Sequence, residues 1–314
     1  MRNIDLSGLE IFKAVVEHGG ITRAAERLHR VQSNVTTRVK QLEDRLGTKL
    51  FLRRGGRLTL SPQGRLLLDY ADRLLHLSSE AEAALRDGRP AGLLRLGALE
   101  STAAVRLPAV LSRYHAAYPD VRVELVTGTS GDLVARVLAQ EVDAAFVAEP
   151  FAATGLEVEP AFAEELVVIT PRDFGRVAAA RDIGHATLIA FATGCSYRRR
   201  LEAWLGAGRV VPGRVMEFSS YHAIVACVAA GSGVAVVPRS VLRISLGARQ
   251  VRVHRLPPSV ARARTCLVAP PGAATAALAA LRDMVARRSL QTRTGRTRLG
   301  VSDAVMPARG RSPA

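Results

Sequence analysis

The sequence has few cysteines and aromatic residues, and it has no hydrophobic run long enough to cross a membrane. Its 314 residues include 3 cysteines, and aromatic residues make up 4%. Because the cysteines lie far apart and form no Cys-x-x-Cys pair, neither a disulfide framework nor a zinc site is predicted. The longest apolar run, 223–237, is interrupted by Gly231 and Gly233 and is shorter than the roughly 20 residues of a membrane helix. We therefore expect no membrane partner.

Signals for catalysis, metal binding and export are also missing. The sequence contains no Gly-x-Ser-x-Gly elbow, phosphate-binding loop, His-Glu-x-x-His pair or dinucleotide fingerprint after a strand. None of the 7 histidines pairs with a cysteine or an acid at metal-ligand spacing. These observations predict a protein without enzymatic activity, metal or cofactor. The first residues carry acids early and lack the apolar core of a signal peptide, so we expect a cytoplasmic protein.

Positive charge is in excess, with 44 Lys and Arg against 28 Asp and Glu and a net charge of +16. Segment 21–65 alone holds 11 basic and 3 acidic residues. Such a segment is typical of a phosphate-binding surface, although a solvated basic face has the same composition. The last residues are also basic, lack helical or strand periodicity, and are rich in Arg, Gly, Ser, Thr and Pro. They predict a disordered tail over 289–314.

Apolar spacing predicts three helices near the start of the chain. The first ends at Gly19-Gly20, and a short second helix contains Ala24 and Ala25. After a turn, a third helix is predicted over about 32–46. Helix, tight turn and helix is the arrangement that places a recognition helix in the DNA major groove.

The third helix has two different faces. At about 100° per residue, Val35, Val39, Leu42 and Leu46 form one narrow apolar stripe that is expected to pack on the domain. The opposite face carries hydroxyls, an amide and a cation, which can reach phosphates and base edges. These residues are Gln32, Ser33, Thr36, Thr37 and Lys40. An ordinary amphipathic surface helix has the same pattern, so both interpretations stay open.

A basic hairpin and a long helix follow. Arg53, Arg54 and Arg57 flank two glycines between short apolar segments, which predicts a hairpin beside the recognition helix, that is, a wing. Pro62 at a first helical position predicts a long helix over 62–87. Its apolar seam has heptad-like spacing and consists of Leu67, Ala71, Leu74, Ser78, Ala81 and Leu85. Either a two-stranded coiled coil or packing against its own chain would bury this seam.

Segment 9–64 resembles the N-terminal winged helix-turn-helix of LysR-type transcriptional regulators. The residues that carry the resemblance occur in the order and spacing of that family. They are Ala24-Ala25, Leu28, Gln32, Leu42-Glu43, Leu50-Phe51, Arg53 and Gly64. The sequence departs from the family where Val31 replaces a usual Ser and Ser33 replaces a frequent Pro. The recognition helix is therefore expected to be capped by Ser33 or by no side chain.

The resemblance covers about 1–288 and implies the organisation of the chain. It implies an all-α winged helix-turn-helix at 1–60, a linker and dimerisation helix at 61–89, and an effector-binding domain at 90–288. It assigns DNA contacts to Gln32, Ser33, Thr36, Thr37, Arg38, Arg53 and its neighbour Arg54, to which the helix geometry adds Lys40. The implied partners are double-stranded promoter DNA, a small-molecule effector, further copies of the chain in a homodimer or homotetramer, and RNA polymerase.

Beyond the linker, apolar strands alternate with helical segments, which predicts an α/β domain with mainly parallel strands. The resemblance implies two lobes like those of a periplasmic binding protein. Lobe I is expected at 92–164 and 268–288, and lobe II at 165–267. Because the chain crosses twice between them, the lobes can close on a ligand.

Hydroxyl-bearing residues cluster where predicted strands end and helices begin. Such junctions bind ligands because backbone N–H groups and the helix dipole favour anions there. The candidate effector-binding residues are Ser101, Thr102, Thr127, Thr129, Ser196, Ser220 and His222. They predict a small polar effector that bears a carboxylate. The arginines of 198–200 are a candidate countercharge, although a solvated basic face is the better interpretation for at least two of them. Each cluster alone would also serve as a helix cap.

Cys195 falls among these residues. The next cysteine, Cys227, lies in an apolar helical segment rather than in a nearby loop. A buried or pocket-lining thiol is therefore predicted, and a disulfide switch is not.

These features together predict a ligand-responsive DNA-binding transcriptional regulator. A stand-alone small-molecule-binding protein is a second interpretation, but it leaves the basic winged helix without a role. An enzyme on an α/β scaffold is a third, and no motif supports it.

Overall fold

The computed structural model describes residues 4–54, 57–85, 89–273 and 275–298. The chain divides into two compact units, one that ends at Leu93 and one that begins at Leu94. Each unit contains its own clusters of buried apolar side chains.

The first unit consists of three short helices, a hairpin and a long helix. Their bounds are α1 Leu6–Glu17, α2 Ile21–Arg27, α3 Gln32–Leu46, β1 Phe51–Arg54, β2 Arg57–Leu60 and α4 Pro62–Leu85. Strands β1 and β2 pair antiparallel, with Phe51 opposite Leu60. The predicted winged helix-turn-helix is therefore confirmed. The hairpin tip 55–56 and residues 86–88, which include the end of the predicted long helix, lie outside the described residues.

Small and large side chains share the core of this unit. Ala24 and Ala25 of α2 are buried together with Val35 and Val39 of α3, and their small size lets the two helices approach closely. Each fully buried large apolar side chain stabilises the fold by about 1.5–3 kcal/mol. Packing of the apolar stripe thus holds α3 in place and leaves its other face to the solvent.

The long helix α4 buries only the start of its predicted seam. Leu67 and Ala71 are buried in the core of the first unit, whereas Leu74 is exposed. The side chain of Leu85 lies outside the described residues. At Leu67 and Ala71 the second of the two predicted alternatives, packing against the same chain, therefore holds. The exposed apolar stripe of α4 shares only Leu74 with the predicted seam, and it consists of Leu66, Tyr70, Leu74 and Leu77.

From Gly92 onward, strands and helices alternate. The strands are β3 Gly92–Ala98, β4 Val121–Thr127, β5 Ala144–Ala148, β6 Glu157–Pro171, β7 Thr187–Phe191, β8 Arg214–Phe218, β9 Ala235–Pro238, β10 Val251–Arg255 and β11 Arg262–Ala269. The helices are α5 Glu100–Val105, α6 Pro108–Ala117, α7 Ser130–Leu138, α8 Ser196–Ala207, α9 Tyr221–Ala229, α10 Pro258–Ala261 and α11 Ala276–Arg298. Short 3₁₀ turns lie at Ala180–Ile183, Val241–Arg243 and Leu246–Gln250.

The long strand β6 takes part in both lobes of the second unit. Up to Glu165 it pairs with β11, and from Leu166 onward it pairs with β9 and β10. Lobe I contains the strand order β4-β3-β5-β11-β6. In lobe II, β7 and β8 pair with each other, and a bridge from Leu188 to Val234 joins them to the segment before β9.

The sheets are mixed rather than mainly parallel. The pairs β3–β5 and β7–β8 are parallel, whereas β11 and β6 pair antiparallel with their neighbours. The prediction from alternating strands and helices failed here because β6 and β11 are crossings between lobes. They do not belong to the strand-helix-strand units that produce parallel pairs.

Two predicted boundaries also change. Strand β11 pairs with β6 from Arg262 onward and with β5 from Thr265, so the chain has returned to lobe I by Arg262 rather than by residue 268.

Helix α11 continues to Arg298, so residues 289–298 are helical, contrary to the predicted disordered tail. Once Leu278 and Leu281 have packed in the core, adding further helical residues costs little. Residues 299–314 of the predicted tail lie outside the described residues.

Candidate DNA interface and ligand pocket

Helix α3 exposes a polar and basic face. Val35, Val39 and Leu42 are buried on its inner side. The six residues that the sequence assigned to DNA contact on this helix are exposed, and they are Gln32, Ser33, Thr36, Thr37, Arg38 and Lys40. This arrangement presents hydrogen-bonding and charged groups to the solvent on a helix whose position is set by its buried side.

The N-terminus of α3 has no side-chain cap. Val31 occupies the N-cap position in an extended conformation, and no side chain accepts a hydrogen bond there, so Ser33 does not act as the cap. The hydroxyl of Thr36 donates to the carbonyl oxygen of Gln32 at 2.9 Å. The first N–H groups of a helix lack helical acceptors and carry the positive end of its dipole. An anion such as a phosphate is stabilised at such a helix start.

A buried carboxylate attaches the hairpin to α3. Oε1 of Glu43 accepts hydrogen bonds from the backbone N–H of Leu50 at 2.8 Å and of Phe51 at 3.3 Å. Oε2 of Glu43 accepts from the Nζ of Lys49 at 2.7 Å. Sequence reasoning had used Glu43 only as part of a family pattern and had given it no role. Its position four residues after Val39 and three residues before Leu46, both members of the apolar stripe, is the signal that places it on the inner face.

The start of α4 is attached to the same hairpin. The hydroxyl of Ser61 accepts from the N–H of Gly64 at 2.8 Å and donates to the carbonyl of Lys49 at 2.6 Å. A Cβ atom on Gly64 would lie 2.2 Å from the carbonyl oxygen of Leu50, which explains a glycine there. Arg53 is exposed on β1 of this anchored hairpin, and the side chain of Arg54 lies outside the described residues.

A small pocket lies between the two lobes of the second unit. Strand ends and helix starts supply its lining, as the α/β architecture predicts. Lobe I contributes Leu99, Glu100, Gly128, Thr129 and Ala148, and lobe II contributes Phe191, Cys195, Ser196, Tyr197 and Tyr221.

Hydrogen bonds cross between the lobes beside this pocket. The hydroxyl of Ser196 donates to the carbonyl of Pro150 at 3.0 Å. The backbone N–H of Tyr221 donates to Oε1 of Glu100 at 3.4 Å. A ligand that changes the separation of the lobes must therefore change these contacts.

The structure brings two of the seven candidate effector residues into the pocket, Thr129 and Ser196. Thr129 also caps α7 by accepting from the N–H of Asp132 at 3.3 Å. The other five do not belong to the lining. Ser101 and Thr102 are buried in α5, Thr127 is exposed, and Ser220 and His222 stand on either side of the lining residue Tyr221. Neighbours in sequence point to different sides of a strand or helix, so a cluster of hydroxyls does not show which member faces the ligand.

Glu100 is a lining residue that the candidate set omitted. Its Oε2 is buried and has no hydrogen-bond partner in the part of the chain that the structure describes. Burial raises the pKa of this carboxyl, while the hydrogen bond from Tyr221 acts in the opposite direction. An acidic residue directly after a buried strand was the available sequence signal.

Aromatic rings make up another part of the lining that the sequence did not indicate. The rings of Phe191 and Tyr221 have centroids 4.7 Å apart and are tilted by 42°. They come from β7 and α9, whose proximity is a result of tertiary folding.

The arginines of 198–200 do not supply a countercharge to the pocket. Arg198 pairs with Glu202 and Glu217, and Arg200 donates to the carbonyl of Glu149 at 3.1 Å. Arg199 is exposed. None of the three lines the pocket, so this predicted role is not supported by the geometry.

Cys195 lines the pocket as a buried thiol. Burial raises its pKa, although the N–H groups of Arg198 and Tyr197 favour the thiolate. A thiol with a raised pKa is a weak nucleophile at neutral pH. Cys195 is therefore suited to packing and ligand contact.

Within the described ranges, no three His, Cys, Asp or Glu side chains are placed to hold a metal ion together. No helix in the described part of the chain is both long and apolar enough to cross a bilayer.

The comparisons with known proteins agree with this division of the chain. A family model described as "Bacterial regulatory helix-turn-helix protein, lysR family" matches residues 6–65, and one described as "LysR substrate binding domain" matches residues 87–289. The transcriptional regulator YusT of Bacillus subtilis, described as uncharacterized, is 40% identical over 261 residues, which are 82% of this chain and 86% of that protein. The regulator GltR of Bacillus subtilis is 37% identical over 255 residues, 81% of this chain and 86% of GltR.

Solved structures share the fold. Full-length CbnR in complex with its target DNA aligns with a TM-score of 0.67 and 24% identity over 90% of this chain and 99% of CbnR. Full-length OxyR from Pseudomonas aeruginosa aligns with a TM-score of 0.65 and 22% identity over 90% of this chain and 95% of OxyR. With both family models matched in order and the fold shared throughout, the chain belongs to the LysR family of DNA-binding transcriptional regulators, which carry an effector-binding domain.

Proposed function

We propose that this regulator reads promoter DNA with the exposed face of α3 and holds the DNA backbone with the hairpin β1–β2. The observation that carries the proposal is the division of α3 into a buried stripe and a polar, basic outer face. Side chains such as Gln32 suit base edges, whereas Arg53 suits phosphates. Because Glu43 and Ser61 attach the hairpin to α3 and α4, both surfaces are presented in one arrangement.

A mobility-shift or anisotropy assay on the DNA upstream of its own coding sequence tests this proposal. Arg53→Ala is expected to weaken binding to all sequences and to reduce the salt slope by about 1. Gln32→Ala is expected to relax discrimination at one base pair by about 1–3 kcal/mol. Arg214→Ala, an exposed arginine of the second unit, is the matched control. If the two test variants bind like the control across a salt series, the assignment is refuted.

We further propose that the chain forms dimers through the exposed stripe of α4 and tetramers through further contacts. Leu66, Tyr70 and Leu77 are 59%, 52% and 61% exposed and lie on one face of the helix. A long helix with such a stripe is typical of a helix that pairs with a second copy. Leu77→Glu is expected to shift the sedimentation coefficient toward the monomer, whereas Ser79→Glu, on the opposite face, is expected to leave it unchanged.

The pocket between the lobes is the proposed effector site, and its occupation is proposed to alter the placement of the DNA-binding units and the contact with RNA polymerase. Promoter binding also supports the expected cytoplasmic location. A carboxylate on the effector would lie at the start of α8, near Ser196, because a second carboxylate beside Glu100 would be repelled.

A thermal-shift screen of small polar compounds tests the site. Ser196→Ala is expected to lose the response of the wild-type chain, with Ser219→Ala, an exposed residue outside the lining, as control. An unchanged response in Ser196→Ala would contradict the site.

A further inference from the structure

We infer that the effector pocket binds its ligand through a positively charged ammonium group, held by the carboxylate of Glu100 and the aromatic rings of Phe191 and Tyr221. This inference rests on the proposed role of the pocket and names the chemical class of its ligand. A ligand that also carries a carboxylate at its other end is an amino acid or a betaine.

The first argument is the charge of the lining. Among the ten lining residues, Glu100 is the one with a charged side chain. Arg198 and Arg200 lie close in sequence to the lining without belonging to it. The guanidinium of Arg198 pairs with Glu202 and Glu217 and donates to the backbone carbonyl of Phe191, and that of Arg200 donates to the carbonyl of Glu149. A ligand cation therefore meets an opposite charge in the pocket, whereas a ligand anion meets a like charge.

The second argument is that Glu100 has few partners among the residues that the structure describes. Its side chain is 20% exposed, and its Oε2 is buried without a hydrogen bond among the described residues. Oε1 receives one long hydrogen bond, from the N–H of Tyr221 at 3.4 Å. The half-exposed imidazole of His222 is 4.0 Å from Oε1, which is beyond hydrogen-bonding distance. A carboxylate that is withdrawn from water and incompletely paired gains from a charged N–H donor.

The third argument is the aromatic content of the pocket. The rings of Phe191 and Tyr221 lie 4.7 Å apart, and Tyr197 adds a third aromatic lining residue. Aromatic faces carry negative electrostatic potential and attract ammonium groups, most strongly where water is excluded. A carboxylate and several aromatic rings that line one small pocket thus form an environment that favours a compact cation.

Three probes of nearly the same shape and different charge test the inference. They are tert-butylammonium, tert-butanol and pivalate, titrated into the full chain at constant ionic strength and neutral pH by calorimetry. The expected order of affinity is cation, then neutral probe, then anion, with about tenfold between the first two. Glu100→Gln keeps the size of the side chain and is expected to remove the preference for the cation. Glu141→Gln, which changes an exposed carboxylate outside the lining, is expected to retain it.

The outcomes separate the ligand class from the proposed site. Binding of pivalate or tert-butanol at least as tight as binding of the cation overturns the ammonium assignment and leaves the pocket as an effector site. A preference for the cation that survives in Glu100→Gln overturns the role of Glu100. If the wild-type chain binds none of the three probes, the ligand class and the proposed pocket fail together, while DNA binding is measured independently.

Discussion

Replacing Glu43 by alanine is expected to loosen the hairpin from α3. Glu43 is buried, and its Oε1 accepts two backbone hydrogen bonds, from Leu50 and Phe51. Leu50 is itself buried, so its N–H would find no water after the substitution. The change therefore removes a charge-assisted interaction and leaves a buried donor unpaired.

The expected cost follows from these contacts. An unpaired buried donor costs about 1–3 kcal/mol, and a hydrogen bond to a charged group contributes about 1.5–3 kcal/mol. The ion pair with the exposed Lys49 adds little in comparison. These effects overlap, so we expect the local opening free energy of the hairpin to fall by about 2–3 kcal/mol. That fall corresponds to amide exchange roughly 30 to 150 times faster.

Hydrogen exchange measured by mass spectrometry on peptides covering β1 and β2 is the suitable assay, because it reports on this part of the chain alone. Asp44→Ala is the matched control, since Asp44 is the next residue of α3, is exposed and carries the same charge. Its effect should stay within about 0.5 kcal/mol. Glu43→Gln keeps an acceptor and should fall between the two. If the hairpin exchanges equally fast in Glu43→Ala and Asp44→Ala, the proposed attachment is refuted.

Two other substitutions test backbone packing and pH dependence. Gly64→Ala should destabilise the first unit by about 1–3 kcal/mol because its Cβ would lie 2.2 Å from a carbonyl oxygen. Gly206→Ala is the control, because Gly206 lies in helix α8 and no atom is within 4 Å of the added Cβ. This substitution should instead stabilise the second unit by about 0.5–1 kcal/mol. If both variants change the free energy of urea unfolding equally, the close packing at Gly64 is contradicted. Burial lowers the pKa of His254 from 6.5, and the positive charges of Arg252 and Arg176 lower it further. The neutral ring accepts at Nδ1 from the N–H of Val177 at 3.2 Å. Its contribution to stability is therefore present above pH 6.5 and lost as the pH falls toward the lowered folded-state pKa. Urea unfolding followed by Trp204 fluorescence should show wild type losing stability relative to His254→Gln as the pH falls below 6.5; parallel curves would refute this assignment.

The recognition helix could be predicted from the sequence because its signals are local. The apolar stripe from Val35 to Leu42 has helical spacing, and Gly47 follows its last turn in a left-handed conformation. The prediction of 32–46 therefore agrees with α3 to the residue. The same holds for the start of α4, where Pro62 suits a first helical position.

The ligand pocket could be predicted only in outline. Its place at strand ends follows from the alternation of strands and helices. Thr129 and Ser196 were identified because they stand at such ends, but Phe191 and Tyr221 come from elements that meet only in the folded lobe. Which neighbour of Tyr221 faces the ligand depends on the rotation of α9, and short hydroxyl clusters carry no information about that rotation.

The sequence by itself determined the order of the domains: local periodicity, turn residues and a dense basic segment place a winged helix-turn-helix before an α/β domain, and the resemblance of 9–64 to the LysR family implied the effector role of that second domain. Tertiary structure alone decided how the pocket is charged and which stripe of α4 stays exposed. Glu100 lines the pocket together with aromatic residues brought from distant strands and helices, and Leu67 and Ala71 are buried because α1 and the hairpin cover them. The physical reason is that helical and turn signals act over a few residues. Burial and ligand charge depend on contacts between residues far apart in the chain.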